Sequence, residues 1–450
     1  MLLVCIALTQ SSFTNWLFYM SGILSRRTAL KTLMAGSAMA AFPVAGGLYG
    51  QQKEAGMPEV TKLTDIPGDG KTHIADPLQT YLNQLAAKGG GVAVLPIGRY
   101  ILEKTLLIPS RVHLIGEGAG TILTGYRPDG INGLALLSND GIVTKRGYDG
   151  AHDFSVQNLT IDSPRTNGIV LVHASNAYFS HIYGVDAHHH HFDIAGSRNV
   201  ITENIFLTGR SGTAPYQIDG NPFNNNIWNG KERVRPIRDN TINDGIFLSD
   251  SVIRPTNRPN HGIHLHRRGG KNIFVDNVVV ENVENGIYRD RNCSREDVIF
   301  TNVVIRNVSN RGVNFRRSET RDQRVAFQNV SVVESECPIG FEYHACEDLT
   351  MQNVKVLATA NADAFALVDI EGGSGAELLS RGESGETAVK LRDSRNIFLT
   401  RISARNFPVT LRLESCTNIQ CSGFMATDSE GNPVTPEISG TECLAKWQSS

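Results

Sequence analysis

Val298-Ile299-Phe300-Thr301-Asn302 and, one turn further on, Val325-Ala326-Phe327-Gln328-Asn329 carry one pattern. Apolar residues alternate with residues of the opposite face, as a strand with one buried side requires, and an Asn closes the line. The line recurs as Phe154-Ser155-Val156-Gln157-Asn158, Val200-Ile201-Thr202-Glu203-Asn204, Ile273-Phe274-Val275-Asp276-Asn277 and Leu349-Thr350-Met351-Gln352-Asn353. Its period is about 24 residues, which is the signature of a stacked repeat. Asn suits the end of the line because it tolerates the left-handed backbone that bends a strand. Its amide can also donate to and accept from the same amide one coil away. A single short strand cannot bury its face alone, whereas stacked coils bury a continuous Val/Ile/Leu/Phe column. No helical stripe competes, so an all-β solenoid of parallel coils is expected.

The chain enters the solenoid through Gly68-Asp69-Gly70-Lys71-Thr72, a turn cluster. Asp76-Pro77 then reads as a helix start, with Leu78, Tyr81, Leu82 and Leu85 at helical spacing and Gly89-Gly90-Gly91 as its end. A buried strand, Val92 to Leu95, and the turn Pro96-Ile97-Gly98-Arg99-Tyr100 follow. Through Val112-His113-Leu114-Ile115-Gly116-Glu117-Gly118, this run resembles the N-terminal cap and first coils of the pectate-lyase-like β-helix superfamily. His73 and Ile74 stand where that superfamily has an acidic pair. The resemblance covers most of residues 60–420. It implies a right-handed single-stranded parallel β-helix with a short capping helix and a carbohydrate-active function. Residues 220–243, rich in Asn and Arg, and residues 371–388, rich in Gly and Ser, read as loops leaving the solenoid. Beyond about Ser422 the pattern fades, as at the closing end of a solenoid.

Ser25-Arg26-Arg27-Thr28-Ala29-Leu30-Lys31, followed by an apolar run through Ala45, resembles a twin-arginine export signal. The apolar stretch ahead of the arginines makes Met20 a candidate start. The expected division is an export leader over 1–50 and a β-helix domain over 51–450. The resemblance implies a periplasmic or extracellular protein with no stable membrane insertion once the leader is removed. With 43 Lys and Arg against 45 Asp and Glu, the net charge of −2 offers no bulk attraction for nucleic acid. The seven cysteines show no metal-site spacing. They read either as isolated small hydrophobes or as including one disulfide, such as Cys421 to Cys443.

Each coil carries a second strand about ten residues after its closing Asn. With aliphatic and aromatic residues set inward, one outward column reads Asp193, Gln217, His264, Tyr288, Asn314, Glu342. A second reads Asp219, His266, Asp290, Arg316, His344. Coils are about 4.8 Å apart, so these side chains meet along a groove. A merely solvated face favours Lys, Glu, Ser and Thr; here His, Tyr, Asp, Gln and Arg collect. From Arg267 to Arg324 there are twelve basic and eight acidic residues, which suits an acidic sugar chain. Arg289 falls inward in this register, and burial would demand a partner for it. Next to Asp219 and Asp290, the imidazoles of a wet groove are expected to titrate high.

Two chemistries fit the columns. β-Elimination at a uronate, or C5 epimerisation, needs a cation on the carboxylate, a base at C5 and an acid for the leaving oxygen. Arg316 or Arg267 can supply the first, His264 or His266 the second and Tyr288 the third. Glycoside hydrolysis needs two carboxyl groups, and Asp219 and Asp290 stand two coils apart. His261-Gly262-Ile263 resembles a Gly-His-Gly-Ile strand of polygalacturonases, and Gly286-Ile287-Tyr288-Arg289 falls where they carry an Arg-Ile-Lys line. Tyr183-Gly184-Val185-Asp186-Ala187-His188 is similar to the Tyr-Gly-x-Asp-Pro-His motif of alginate epimerases. The leading expectation is a lyase of an anionic uronate glycan. A C5-epimerase, a polygalacturonase-like hydrolase and a non-catalytic glycan-binding β-helix are the alternatives. In the long insertion, Trp228 can stack on a sugar, and Arg233 and Arg235 can meet carboxylates. Asp193, Gln217, Asn314 and Arg316 complete the binding set. His188 to His191 do not read as a metal site, because alternate residues point apart. No cofactor motif is present, and a calcium requirement leaves no signature in the sequence.

Overall fold

The computed structural model describes residues 60–125, 135–220, 227–267, 269–291, 294–316, 319–358, 363–381, 386–440 and 444–448. Residues 1–50, expected from the sequence to be an export leader, and Cys293 and Cys443 lie outside the described residues. The chain is an all-β solenoid in which each coil pairs in parallel with the next. Val298, Ile299 and Phe300 lie between Ile273, Phe274 and Val275 on one side and Val325, Ala326 and Phe327 on the other. Among the described residues no helix is long and apolar enough to cross a membrane.

The repeating Asn residues do what their chemistry allows. Asn302, Asn329 and Asn353 have φ of 53°, 53° and 51°, the left-handed backbone that turns the strand. Asn329 donates to Asn302 Oδ1 at 2.9 Å and Asn353 to Asn329 Oδ1 at 2.8 Å. At Asn277 and Asn302 the acceptors are instead Asp250 and Asp276, each at 2.9 Å. Glycine marks a different corner, before the site strand. A Cβ on Gly286 would come within 2.5 Å of the Gly312 carbonyl and 2.4 Å of Ile305. Only a residue without a side chain lets the coils close up there.

The interior is a continuous apolar column, with Phe300 stacked on Phe327 at 4.9 Å and Phe315 on Tyr343 at 4.4 Å. Arg289 does point inward, as the alternation requires. Its Nε lies 3.1 Å from Asp322 Oδ2, with both side chains fully buried. Asp322 also accepts from the Tyr343 hydroxyl and the Arg295 backbone N–H, at 2.7 Å each. This answers the requirement that a buried cation be paired and hydrogen-bonded.

The helix Ala75–Ala87 closes the N-terminal end by burying Leu78, Leu82 and Leu85. At the C-terminal end the pairing outlasts the sequence pattern. Ile438–Ser439 lies on Leu411 and Arg412, and Leu444–Gln448 pairs with residues 419–422. Part of the segment read as a loop at 371–388 is a coil. Phe365–Ala376 is one strand, in register with residues 341–352 before it and 395–400 after it. Glycine is used there because Leu399 and Leu378 fill the space: a Cβ on Gly375 would meet them at 2.9 and 3.0 Å. Cys337, Cys346, Cys416 and Cys421 are buried, and among the described residues they form no disulfide.

The insertion after Asp219 folds back over the N-terminal coils. Ile227–Trp228 and Arg233–Val234 form an antiparallel ribbon. Trp228 exchanges backbone hydrogen bonds with Thr105, donating to its Oγ1 at 3.0 Å and accepting from its N–H at 2.9 Å. Ile227 and Val234 cover an outward apolar strip that contains Leu107, Ala135, Val170, Val172 and Ala195. On return, Asn243 latches the coil by donating to the carbonyls of Ile194 and Asp219 at 3.0 and 2.6 Å.

Candidate functional site

The strand alternation places the two columns as the sequence indicates. Asp193, Gln217, His264, Tyr288, Asn314 and Glu342 are successive register partners. Asp219 pairs with His266 in the second column. They do not form one long wet groove. At the N-terminal end Asp193 and Gln217 are buried, and Gln217 Nε2 donates to Asp193 Oδ1 at 3.2 Å. At the C-terminal end the groups satisfy one another. Asn314 donates to Asn285 at 2.8 Å, and Glu342 takes His344 at 2.8 Å together with Arg311. The middle remains, where His264, His266, Tyr288 and Asp290 converge with Asp219.

Here the geometry is close. His266 lies between two carboxylates, its Nδ1 3.3 Å from Asp219 Oδ2 and its Nε2 3.1 Å from Asp290 Oδ2. The other Asp290 oxygen is 3.5 Å from His264 Nε2. The His264 and His266 rings are 4.6 Å apart, and His264 meets the Tyr288 ring edge-on at 5.1 Å. Arg316 is exposed, with its guanidinium 5.1 Å above the Tyr288 ring. His266 and Asp290 keep side-chain exposures of 20% and 28%, so these two meet an incoming ligand, whereas Asp219 at 3% stands behind.

Burial sets the protonation states. The desolvation of His264 holds its pKa below the ordinary imidazole value, against the opposing pull of Asp290. The expectation that the groove raises the histidines is therefore corrected at His264: the face is covered, and loss of water disfavours the cation. Burial raises the Tyr288 phenol to about 12, with the Asp290 charge adding to it. Burial also acts to raise Asp290, but the surrounding imidazoles outweigh it and hold the carboxyl at about 2. At neutral pH the centre thus contains an ionised Asp290, a neutral His264 and a protonated Tyr288.

His261 belongs to this centre and was not among the residues picked from the sequence. Its ring stacks on Tyr288 with centroids 3.8 Å apart and planes at 6°. Alternation counts it inward with Ile263 and Leu265, but at the start of the strand that parity breaks. Its occurrence in the His261-Gly262-Ile263 fragment was the available signal. Trp228 lies beside Thr105, four coils from the Asp219 strand, which is roughly 19 Å at ~4.8 Å per coil. The insertion therefore does not bring Trp228 to His264, and Arg233 and Arg235 are exposed on the same ribbon and the turn after it. Arg267 sits at the end of the His264 strand, its carbonyl accepting from Arg295 at 3.0 Å. The segment Tyr183–His188 runs out of a different strand, Ser175–Ala187, away from the columns. His190 and His191 are buried, with His190 Nδ1 2.7 Å from the Ala214 carbonyl.

No protein-family model matches the chain. A stretch of 107 residues, 22% of this chain, is 30% identical to alginate lyase 7 of Azotobacter vinelandii and spans 12% of that protein. Among solved structures the chain is similar to PfbA, a surface adhesin of Streptococcus pneumoniae. That match has a TM-score of 0.52 and 13% identity, and covers 87% of this chain and 93% of the adhesin chain. It is also similar to the N-terminal fragment of gene product 12 of bacteriophage phi29. There the TM-score is 0.52 and the identity 14%, covering 83% and 72% of the two chains. These are likenesses of fold, that of the right-handed parallel β-helix.

Proposed function

We propose that the protein is a carbohydrate-active enzyme that cleaves an anionic, uronate-containing glycan by β-elimination. The observation that carries this reading is the Asp219–His266 pair beside a protonated Tyr288. Asp219 Oδ2 stands 3.3 Å from His266 Nδ1, and a carboxylate charge on that side favours the proton on Nδ1 and leaves Nε2 as the basic nitrogen. His266 is then placed to take the C5 proton. Tyr288 keeps its proton at neutral pH because burial raises the phenol to about 12, so it can donate to the leaving oxygen. Arg316, exposed above Tyr288, can hold the substrate carboxylate. The stretch similar to alginate lyase 7 supports a uronate glycan as the substrate class.

The hydrolase reading through Asp219 and Asp290 has less support. Hydrolysis requires two carboxyl groups flanking the scissile bond, with room between them for the sugar and, in the inverting case, a water. His266 occupies that gap, contacting both carboxylates. Purified protein on acidic and neutral polysaccharides tests the proposal. Ultraviolet absorbance of an unsaturated uronate, rising with new reducing ends, is the expected result. Reducing ends without that absorbance would transfer the protein to the hydrolases. Inverted C5 stereochemistry without chain cleavage would make it an epimerase, and binding without products a glycan-binding protein.

A further inference from the structure

We infer that His264 Nε2, His266 Nε2 and the Asp290 carboxylate form a binding site for one divalent transition-metal ion, with Asp219 bracing His266 from behind. The inference rests on the same cluster as the proposed elimination but concerns a different occupant. Ligand atoms of these three residues all lie within 4.8 Å of one another. Among the described residues no other trio of His, Cys, Asp and Glu donors converges in this way.

Two features call for an ion. The first is the facing of acceptors. A neutral imidazole has one N–H. If His266 gives it to Asp219 at Nδ1, the Nε2 lone pair points at the Asp290 oxygen 3.1 Å away. Two acceptors then oppose each other unless a proton or a cation lies between them. The second is His264, which is only 4% exposed and has no hydrogen bond on either ring nitrogen. Leaving buried nitrogens unsatisfied costs about 1–3 kcal/mol each, and a metal bond removes the deficit at Nε2. Both features face the same Asp290, whose two oxygens each address one imidazole.

The spacing suits a small ion. Donors on a tetrahedral centre with bonds of about 2.0–2.1 Å stand about 3.3 Å apart. His266 Nε2 and His264 Nε2 stand 3.1 and 3.5 Å from the two different oxygens of Asp290, and the three ligand atoms lie within 4.8 Å of one another, so the side chains close up on a shared ion. Two imidazoles and one carboxylate select zinc, cobalt or nickel over calcium and magnesium, which take oxygen ligands. The Asp219–His266 contact supplies the outer carboxylate that commonly orients a metal-bound imidazole. Three protein donors leave a position open toward the groove. The ion and the proposed base are mutually exclusive, because both need the His266 Nε2 lone pair. A bound ion therefore blocks elimination by His266.

The test uses the full chain, stripped with a chelator and titrated with cobalt and zinc in the absence of glycan. Calorimetry should find one ion per chain, and cobalt should develop the visible absorption of a low-coordinate site. Asp219→Asn should weaken binding about 10–100-fold, and His266→Gln and Asp290→Asn by more than that. Each variant is first shown to keep the wild-type circular dichroism. A His188→Ala, His189→Ala double variant, which removes two half-buried histidines outside the trio, should bind as wild type. Absence of stoichiometric binding would overturn the inference. So would binding that survives His266→Gln and Asp290→Asn, or that is lost in the His188/His189 variant. Glycan cleavage separates the two readings. Cleavage inhibited by zinc agrees with both, and cleavage that requires the metal keeps the site but removes His266 as base. Intact cleavage in a chain that binds no metal sinks this inference alone.

Discussion

Acidification should unfold this protein through two buried histidines, His190 and His191. His191 is 1% exposed, and a Cβ on Gly184 would come within 2.5 Å of its Nδ1, so the ring fills a pocket made by that glycine. Burial holds its pKa at about 4 against 6.5 for a free imidazole, and holds His190 at about 3. In the unfolded chain both take a proton near pH 6.5; in the folded chain they do so only near 4 and 3. The folded pKa is depressed, so the unfolded state binds more protons throughout that window. The contribution is fully present above pH 6.5 and is lost as pH falls toward the folded values. Each imidazole adds a slope of about 1.4 kcal/mol per pH unit. At about pH 4.5 His191 alone has cost about 2–3 kcal/mol, and the pair about 5 kcal/mol, of a stability on the order of 5–15 kcal/mol. The assay is the urea midpoint and slope at a series of pH values, for wild type and His191→Asn. The variant should be weaker at neutral pH but lose stability on acidification with a slope smaller by about one proton. Identical slopes in the two proteins would refute the argument, because every other titrating group is common to both.

Three further outcomes follow from the same geometry. Replacing His266 with Gln should lower turnover by about a hundredfold or more while glycan affinity is largely kept, read as separate kcat and binding measurements. Removing residues 227–236 should lower the thermal midpoint, because Ala135, Val170, Val172 and Ala195 lose the cover of Ile227 and Val234; an unchanged midpoint would leave the ribbon a mere appendage. Asp322→Asn should destabilise by about 3–5 kcal/mol in urea titrations, since it strips the charge partner from the fully buried Arg289.

The coils were legible in the sequence because their cause is local and repeated. An Asn at the left-handed corner and alternating Val, Ile and Phe before it state both the bend and the buried face, as Asn302, Asn329 and Asn353 then show. Period-two alternation also placed His264, Tyr288, Asp219 and His266 on outward columns, and even the inward Arg289. The glycine at 375 misled, since a glycine that makes room for Leu399 looks in sequence like a glycine in a loop.

What alternation cannot state is what lies above the outward face. Chain returning over a sheet is long-range, and no local pattern says where residues 227–243 come to rest. That one placement covers Ala135, Val170, Val172 and Ala195 and puts Trp228 at Thr105. Pairing among neighbours likewise withdraws Asn314 and Glu342. The sequence by itself determined the solenoid, its register and which side chains leave the core. Only the tertiary structure decided which of them stay wet and how they titrate, because burial and charge contact depend on segments far apart in the chain. Hence His264 is neutral rather than cationic, and five chemically able residues, His264, His266, Tyr288, Asp219 and Asp290, meet in one centre.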